Sequence, residues 1–338
     1  MSIFFKYLFL ILSLTVVFAS CKKTSEGDFV PNPPIQQADT TWLVNDSVPP
    51  VTAELDKPVA TDSFNCNGSD DGNKISISDS VSVVFPSGGC MTTPNKPSTT
   101  ITSKSAKIRA NILVLTSKGD IVRHRVPTTS NGILLNFGAY VNIKLTYKGS
   151  PVYWNSALQK QIQVKVRTKD RYPTIPMQYF MYQPDSTGKD TLWLPQLNHG
   201  PVAPTYVGNG SSGGSNNGYL ITSNKIGWFG CANFLNSNPN KTRLNAFLPI
   251  NFTNKNTVVY AVFNETKTIV RLKANPQGKS YGVAGIPVDS KVTLVSISKI
   301  DGLYYLGTST TSATSSNPIT ITPHLSNLHS IDQSLRDL

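Results

Sequence analysis

At 338 residues the chain is long enough for two ordinary domains, each with a sizeable core. Charged residues are only 15% of it, while Thr, Ser, Asn, Gly and Pro are abundant, a balance that favours strands and turns and argues against a helical protein. The 31 Lys plus Arg against 19 Asp plus Glu give a net charge of +12, which attracts polyanions and anionic head groups. These basic residues are scattered singly, as at Lys104, Lys107, Arg109, Lys118 and Arg123, without the dense run or motif of a nucleic-acid binder, so nucleic acid is not an expected partner.

Residues 1–20 read as a signal peptide. One basic residue, Lys6, precedes an apolar run from Tyr7 to Phe18, and Phe18-Ala19-Ser20 leads into Cys21. The run is shorter than the roughly 20 residues a spanning helix needs. It resembles a bacterial lipobox, with Phe18 where that pattern usually has Leu. The resemblance implies that Cys21 starts the mature protein and carries a thioether diacylglycerol plus an N-acyl chain such as palmitate, enough for stable anchoring. The expected address is the cell outer membrane, periplasmic or surface face open.

Residues 21–62 read as the lipidated cysteine and a flexible tether, because Pro31, Pro33, Pro34, Pro49, Pro50 and Pro58 disfavour both helix and central strand. Within it, Asp39-Thr40-Thr41 and Asp46-Ser47-Val48 resemble a short acceptor for O-glycans in Bacteroidota envelope proteins, which makes Thr40 and Ser47 candidate glycosylation sites.

Residues 63–172 read as a first antiparallel β-sandwich domain. Lys74–Ser78 and Val81–Phe85 alternate with period two and end at Pro86, Gly88 and Gly89. Ala106–Leu115 and Asp120–Val126 are predicted to pair across Ser117-Lys118-Gly119. Ile133–Leu135 and Ala139–Tyr147 follow, entered through Asn131-Gly132, whose residues suit positive φ. Gln161–Arg167 repeats the alternation.

Residues 173–325 read as a second sandwich with strands at Met177–Tyr182, Leu192–Leu194, Tyr219–Ser223, Thr242–Leu248, Thr257–Phe263, Thr268–Leu272, Lys291–Ser298 and Leu303–Gly307. In the tail, residues 326–338, Leu328, Ile331, Leu335 and Leu338 fall at helical spacing and predict a short docking helix.

Lipidation of Cys21 leaves Cys66, Cys90 and Cys231. Cys66 with Cys90 is the leading disulfide pair, since both end turn-rich parts of one β segment, and Cys90 with Cys231 remains open. No CxxC occurs, and His124, His199, His324 and His329 lack ligand spacing, so no metal or other cofactor is expected. Asp70 and Asp71, in the oxygen-rich turn Asn65–Asn73, could hold Ca²⁺, although the turn lacks the length and bidentate Glu of an EF-hand. The glycine-rich loop Gly208–Gly214 matches G-x-G-x-x-G and G-x-S-x-G but is followed by a turn and strand instead of the helix both need. His124 sits between two arginines in a predicted strand, with no marked Asp partner or oxyanion hole. Trp154, Trp193, Tyr179 and Tyr182 could form a platform for stacking sugar rings, or serve as core.

Val84-Phe85-Pro86 with Cys90, Lys118-Gly119-Asp120-Ile121, Pro127–Gly132, Gly227-Trp228 with Cys231 and Phe234, Ile286-Pro287-Val288 and Gly302–Gly307 occur in one order. In these the chain resembles a family of Bacteroidota lipoproteins of unknown function, and its first part is similar to ZU5 or carboxypeptidase-regulatory-like β domains. That likeness implies accessory, non-catalytic modules. It departs at Gly230-Cys231-Ala232, where the family tends to read Asn-Cys-Asp, which favours packing over a polar role. The expected function is a lipid-anchored cell-envelope protein, not an enzyme, that binds or scaffolds an envelope polymer or protein partner. The alternatives are a surface carbohydrate-binding protein and an envelope hydrolase with an unrecognised site.

Overall fold

The computed structural model describes residues 39–45, 49–56, 59–69, 73–158, 160–168, 175–184, 191–207, 217–235, 240–314 and 318–338. The protein is all-β and almost wholly antiparallel, with two short α-helices among the described residues. Fourteen strands precede residue 235: β1 (Ala60–Asn65), β2 (Lys74–Ser78), β3 (Val81–Val84), β4 (Cys90–Met91), β5 (Lys107–Leu115), β6 (Thr129–Ser130), β7 (Ile133–Tyr147), β8 (Ser150–Trp154), β9 (Ile162–Arg167), β10 (Gln178–Pro184), β11 (Thr191–Pro195), β12 (Pro204–Thr205), β13 (Gly218–Ser223) and β14 (Gly227–Phe234). They form a nine-stranded sheet, ordered β1-β5-β7-β14-β10-β11 with β4, β6 and β8 off that path, and a five-stranded sheet, ordered β12-β13-β9-β3-β2. In β9, alternate side chains are buried and exposed, as a sheet with one wet face requires. The two sheets enclose a core that includes Phe64, Phe85, Ile108, Ile143, Val164, Ile221 and Phe229.

Eight further strands, β15 (Lys241–Phe247), β16 (Thr257–Phe263), β17 (Ile269–Asn275), β18 (Ser280–Pro287), β19 (Lys291–Ile300), β20 (Leu303–Ser312), β21 (Ile319–Thr320) and β22 (His324–Ser326), make a third sheet in the order β21-β15-β18-β17-β16-β19-β20-β22. Its one parallel pair is β15 with β21. One face gathers Leu244, Val259, Ala261, Phe263, Leu272, Tyr281, Ile286 and Leu294 into a core of its own. The other face places Val258, Tyr260, Val262, Val295 and Ile297 against Leu113, Leu115, Leu135, Phe137, Phe180 and Trp193 of the nine-stranded sheet. Both faces of β16 are therefore covered, and all seven of its residues are buried, which explains why Thr257–Phe263 reads as a continuous apolar run.

Sheet pairing runs through the expected domain boundary at 172/173. β9 pairs with β13, β7 with β14, and β14 with β10, so strands from 178–234 complete the sheets begun by 60–167. The division between sheets falls instead between Phe234 and Lys241. Pro173 and Pro176 read in sequence as a break, but the open hydrogen-bonding edges of β7 and β9 are filled by whatever strands return to them. Residues 40–338 accordingly form one compact unit.

Part of the span expected as tether, 21–62, is folded. The Trp42 ring packs 5.2 Å from Tyr281. Asn254 accepts from Leu43 N–H at 2.8 Å and donates to Leu43 C=O at 2.9 Å. A 3₁₀ helix, Pro50–Leu55, buries Val51 and Leu55, and Ala60–Asn65 is strand β1. Proline at the first position of a helix is compatible with it, so proline density did not mean an extended chain here. Glu54 then accepts hydrogen bonds from Lys299 Nζ, at 2.6 Å, and from the Tyr304 hydroxyl.

Two local expectations are corrected. Asp120–Val126 is not a strand: helix α1 (Lys118–His124) starts at Ser117, whose hydroxyl accepts from Asp120 N–H while the Asp120 carboxylate accepts from Ser117 N–H. His124 is thus helical, its Nδ1 3.6 Å from Asp56. Ile133–Tyr147 is one fifteen-residue strand, and the break expected near Gly138 is a bulge, since Cys231 faces Ala139 and Ala232 faces Phe137. A Cβ at Gly138 would lie 2.6 Å from Met177 Sδ and 2.8 Å from Cys231 Sγ. The Asn131-Gly132 turn has φ of 47° and 76° and joins β6 to β7. At the C-terminus, α2 (Leu328–Arg336), capped by the Asn327 side chain, buries Ile331 and Leu335 against the same core as α1.

Candidate binding cleft

A cleft of about 730 Å³ opens where β17 changes neighbours. The strand pairs with β16 through Ile269–Leu272 and with β18 through Lys273–Asn275. On β17, Leu272 turns to the core inside the third sheet, and Ile269, Arg271 and Lys273, of the opposite parity, face the other way. β15 repeats the rule, with Leu244 and Ala246 in the core and Arg243 outside. Between them on β18, Gly282 and Ala284 line the cleft without bulk. The opposite wall runs from the end of α1 through Val126, Pro127, Thr128 and Thr129 to Gly132 and Leu134, with Tyr182 of β10 beside it.

The walls are held by buried hydrogen bonds. Thr128 Oγ1 donates to Ile269 C=O at 2.6 Å and accepts from Ile269 N–H at 2.8 Å, tying the segment after α1 to β17. Thr268 Oγ1 donates to Leu135 C=O at 3.0 Å, and Phe137 N–H to Lys267 C=O at 3.2 Å. Arg125, in the left-handed conformation that ends α1, reaches Asp56 with Nη2 at 2.9 Å.

Four cations, Arg125, Arg243, Arg271 and Lys273, line this concavity, and its described lining holds no carboxylate, histidine or cysteine. Arg125 and Arg271 are half-buried, Arg243 and Lys273 exposed. Charges of one sign in a cleft with low-dielectric walls focus the field and raise the local concentration of counter-ions. At its floor Tyr260 is 3% exposed, and its hydroxyl has no hydrogen-bond partner among the described residues. Burial pushes the Tyr260 phenol up to about 12, and the nearby guanidinium groups of Arg271 and Arg125 oppose that rise. The arrangement suits holding an oxyanion.

The residues singled out from sequence are placed elsewhere. Cys21, Ser47, Asp70 and Asp71 lie outside the described residues; Thr40 is half-buried. Cys66 and Cys90 are joined by a disulfide with Cα atoms 6.0 Å apart, and Cys231 is a buried free thiol. The four aromatics do not make a platform. Tyr179 and Tyr182 are three residues apart on β10 and therefore face opposite sides of the sheet. Tyr179 and Trp154 enter the first core, and Trp193 the second, stacked on Tyr140 at 4.0 Å. Tyr179 is 3% exposed, stacks on His199 at 4.0 Å and bonds Ser223 Oγ at 2.7 Å. Only Tyr182 reaches the cleft. Trp228 meets Trp193 edge-on at 6.3 Å, as packing. Among the described residues no three His, Cys, Asp or Glu side chains gather as a metal site, and no helix is long and apolar enough to cross a membrane.

Along the sequence the basic residues stand scattered, and the cleft is not legible from them. What local signal there is lies in Arg271-Leu272-Lys273, a cation, apolar, cation step that puts both charges on one face of a strand. Compared with known proteins, the chain matches no family model, no curated sequence and no solved structure.

Proposed function

We propose that this is a lipid-anchored cell-envelope protein that binds an anionic partner in the basic cleft and does not act by catalysis. The single observation that carries the reading is four cations converging on one concavity whose described lining holds no carboxylate. The lipobox-like Phe18-Ala19-Ser20-Cys21 and the resemblance to Bacteroidota lipoproteins support the address. A strongly basic chain with a concave site lined by Arg243, Arg271 and Lys273, beside an Arg125 already paired with Asp56, has its natural partner in an envelope polymer or protein surface carrying oxyanions, since arginine forks pair with carboxylate, sulfate and phosphate geometry.

Calorimetry with dextran sulfate tests the binding half. The chain from residue 39 should bind saturably, and the triple change Arg243→Gln, Arg271→Gln, Lys273→Gln should weaken binding at least about tenfold, or ~1.4 kcal/mol. Equal binding by the triple variant and by a Lys165→Gln, Arg167→Gln control on β9 would refute the cleft as the site. The anchoring half rests on Cys21→Ala, which should release the full chain from membranes.

A further inference from the structure

We infer that the cleft takes an acidic oligosaccharide, with one oxyanion seated between Tyr260 and Arg271 and a second between Lys273 and Arg243. The inference rests on the cleft being the binding site.

The inner position follows from the ladder. Tyr260 of β16 is directly across from Arg271 of β17, so the two side chains leave one face as cross-strand neighbours about 5 Å apart at their Cβ atoms. A buried hydroxyl that lacks a partner is costly, and a bound oxyanion accepts its hydrogen bond while the guanidinium supplies charge and a second donor. This orphan hydroxyl is the observation that separates a ligand site from an ordinary basic surface.

The outer position is built on a missing side chain. Gly282 of β18 faces Lys273 on one neighbour and Asn245 on the other. A Cβ placed there would lie 3.3 Å from Arg243 Nη2 and 2.9 Å from Asn245 Oδ1, so the guanidinium reaches over the glycine. Asn245 Oδ1 holds it, accepting from Arg243 Nε at 3.2 Å. Arg271 and Lys273 are two residues apart on one strand, about 6.6 Å, and Lys273 and Arg243 stand two strands apart, about 10 Å. The step from Arg271 to Lys273 matches acidic groups carried on neighbouring sugar rings and exceeds what one carboxylate or sulfate spans, while the Arg243 guanidinium, lying over Gly282, stands only one strand from Lys273 and so shares the outer oxyanion with it.

Other polyanions fit less well. A peptide adding as a strand needs an open sheet edge, and β18 is paired on both sides, with β15 and β17. Single-stranded nucleic acid needs successive exposed rings to stack on, whereas Tyr182 and Tyr260 are the aromatic residues of the described lining and Tyr260 is buried. The volume, about 730 Å³, lies in the range of small-ligand sites and holds a short saccharide segment.

Calorimetry on the chain from residue 39 decides the matter, with galacturonate, trigalacturonate, its full methyl ester, a heparin hexasaccharide and a single-stranded oligonucleotide of equal charge as probes. Trigalacturonate or the heparin fragment should bind at least about tenfold more tightly than galacturonate, and the ester should not bind. Arg243→Gln should bring the oligomer's affinity down to that of the monomer. Tyr260→Phe should weaken the oligomer about tenfold while leaving the melting temperature unchanged or raised, the opposite of what a structural hydroxyl would give. Equal binding of monomer and oligomer, tightest binding of the oligonucleotide, or no effect of Tyr260→Phe overturns this inference and leaves the anion-binding reading standing. Absence of binding by every anion overturns both.

Discussion

Replacing Gly119 by alanine measures how closely the two helices are pressed together. A Cβ on Gly119 would lie 1.9 Å from the Leu335 carbonyl oxygen and 2.6 Å from its carbon, where real contacts do not fall below 3.0 Å. The backbones of α1 and α2 must therefore part by about 1.1 Å. A gap of ~0.5–1 Å already forfeits a quarter to a half of a packing well. Ile331 and Leu335, at 0% and 1% exposure, are each worth ~1.5–3 kcal/mol when fully buried. The same movement stretches the contact between Arg123 and Asp332, now 2.7 Å, and a hydrogen bond to a charged group is worth ~1.5–3 kcal/mol. Alanine returns ~0.5–1 kcal/mol by its better helix propensity. The net expectation is a loss of ~2–4 kcal/mol, read as a lowered urea midpoint by tryptophan fluorescence and as faster proteolysis after residue 327. Gly200→Ala, which meets no atom within 4 Å, is the control and should change stability by less than ~0.5 kcal/mol. A Gly119→Ala protein as stable as the parent would refute the argument from close approach.

Starting the chain at residue 63, where the tether was expected to end, removes Trp42, Val51 and Leu55 from their packing and should cost at least ~4 kcal/mol, whereas a start at residue 39 should be neutral; denaturant midpoints of the two decide. Burial alone would raise the Asp332 carboxyl, but the Arg336 hydrogen bond and the Arg123 charge hold it below its ordinary value. A depressed pKa gives stability that is present above the unfolded value near pH ~4 and lost as pH falls through the folded one, so α2 should become protease-sensitive only below about pH 4. Asp332→Asn should show that sensitivity at pH 7. Burial pushes the Cys231 thiol up to about 12, so in a Cys21→Ala background the native protein should not react with maleimide at pH 8, and one thiol should appear on unfolding without reductant.

What could be read from the chain was what neighbouring residues decide among themselves. Period-two alternation located β2, β3, β5, β9 and β13, Asn131-Gly132 located a turn with positive φ, and the spacing of Ile331 and Leu335 located α2. Ser117 and Asp120 carried an equally local helix start that strand expectation obscured. The rest was settled by residues far apart in sequence. Nothing local says that β7 will take β14 as its neighbour, or that a second core will cover the other face of the same sheet and bury Trp193, closing its ring to a sugar. The cleft is wholly of this second kind. Arg125 ends a helix, Arg243 and Arg271 lie on strands separated by β16 in sequence order and by β18 in sheet order, and Tyr260 looks like one more core residue until its hydroxyl is found without a partner among the described residues. Local sequence sets backbone preference through sterics and short hydrogen bonds. A site assembled from four separate segments exists only after long-range pairing has brought their charges onto one face.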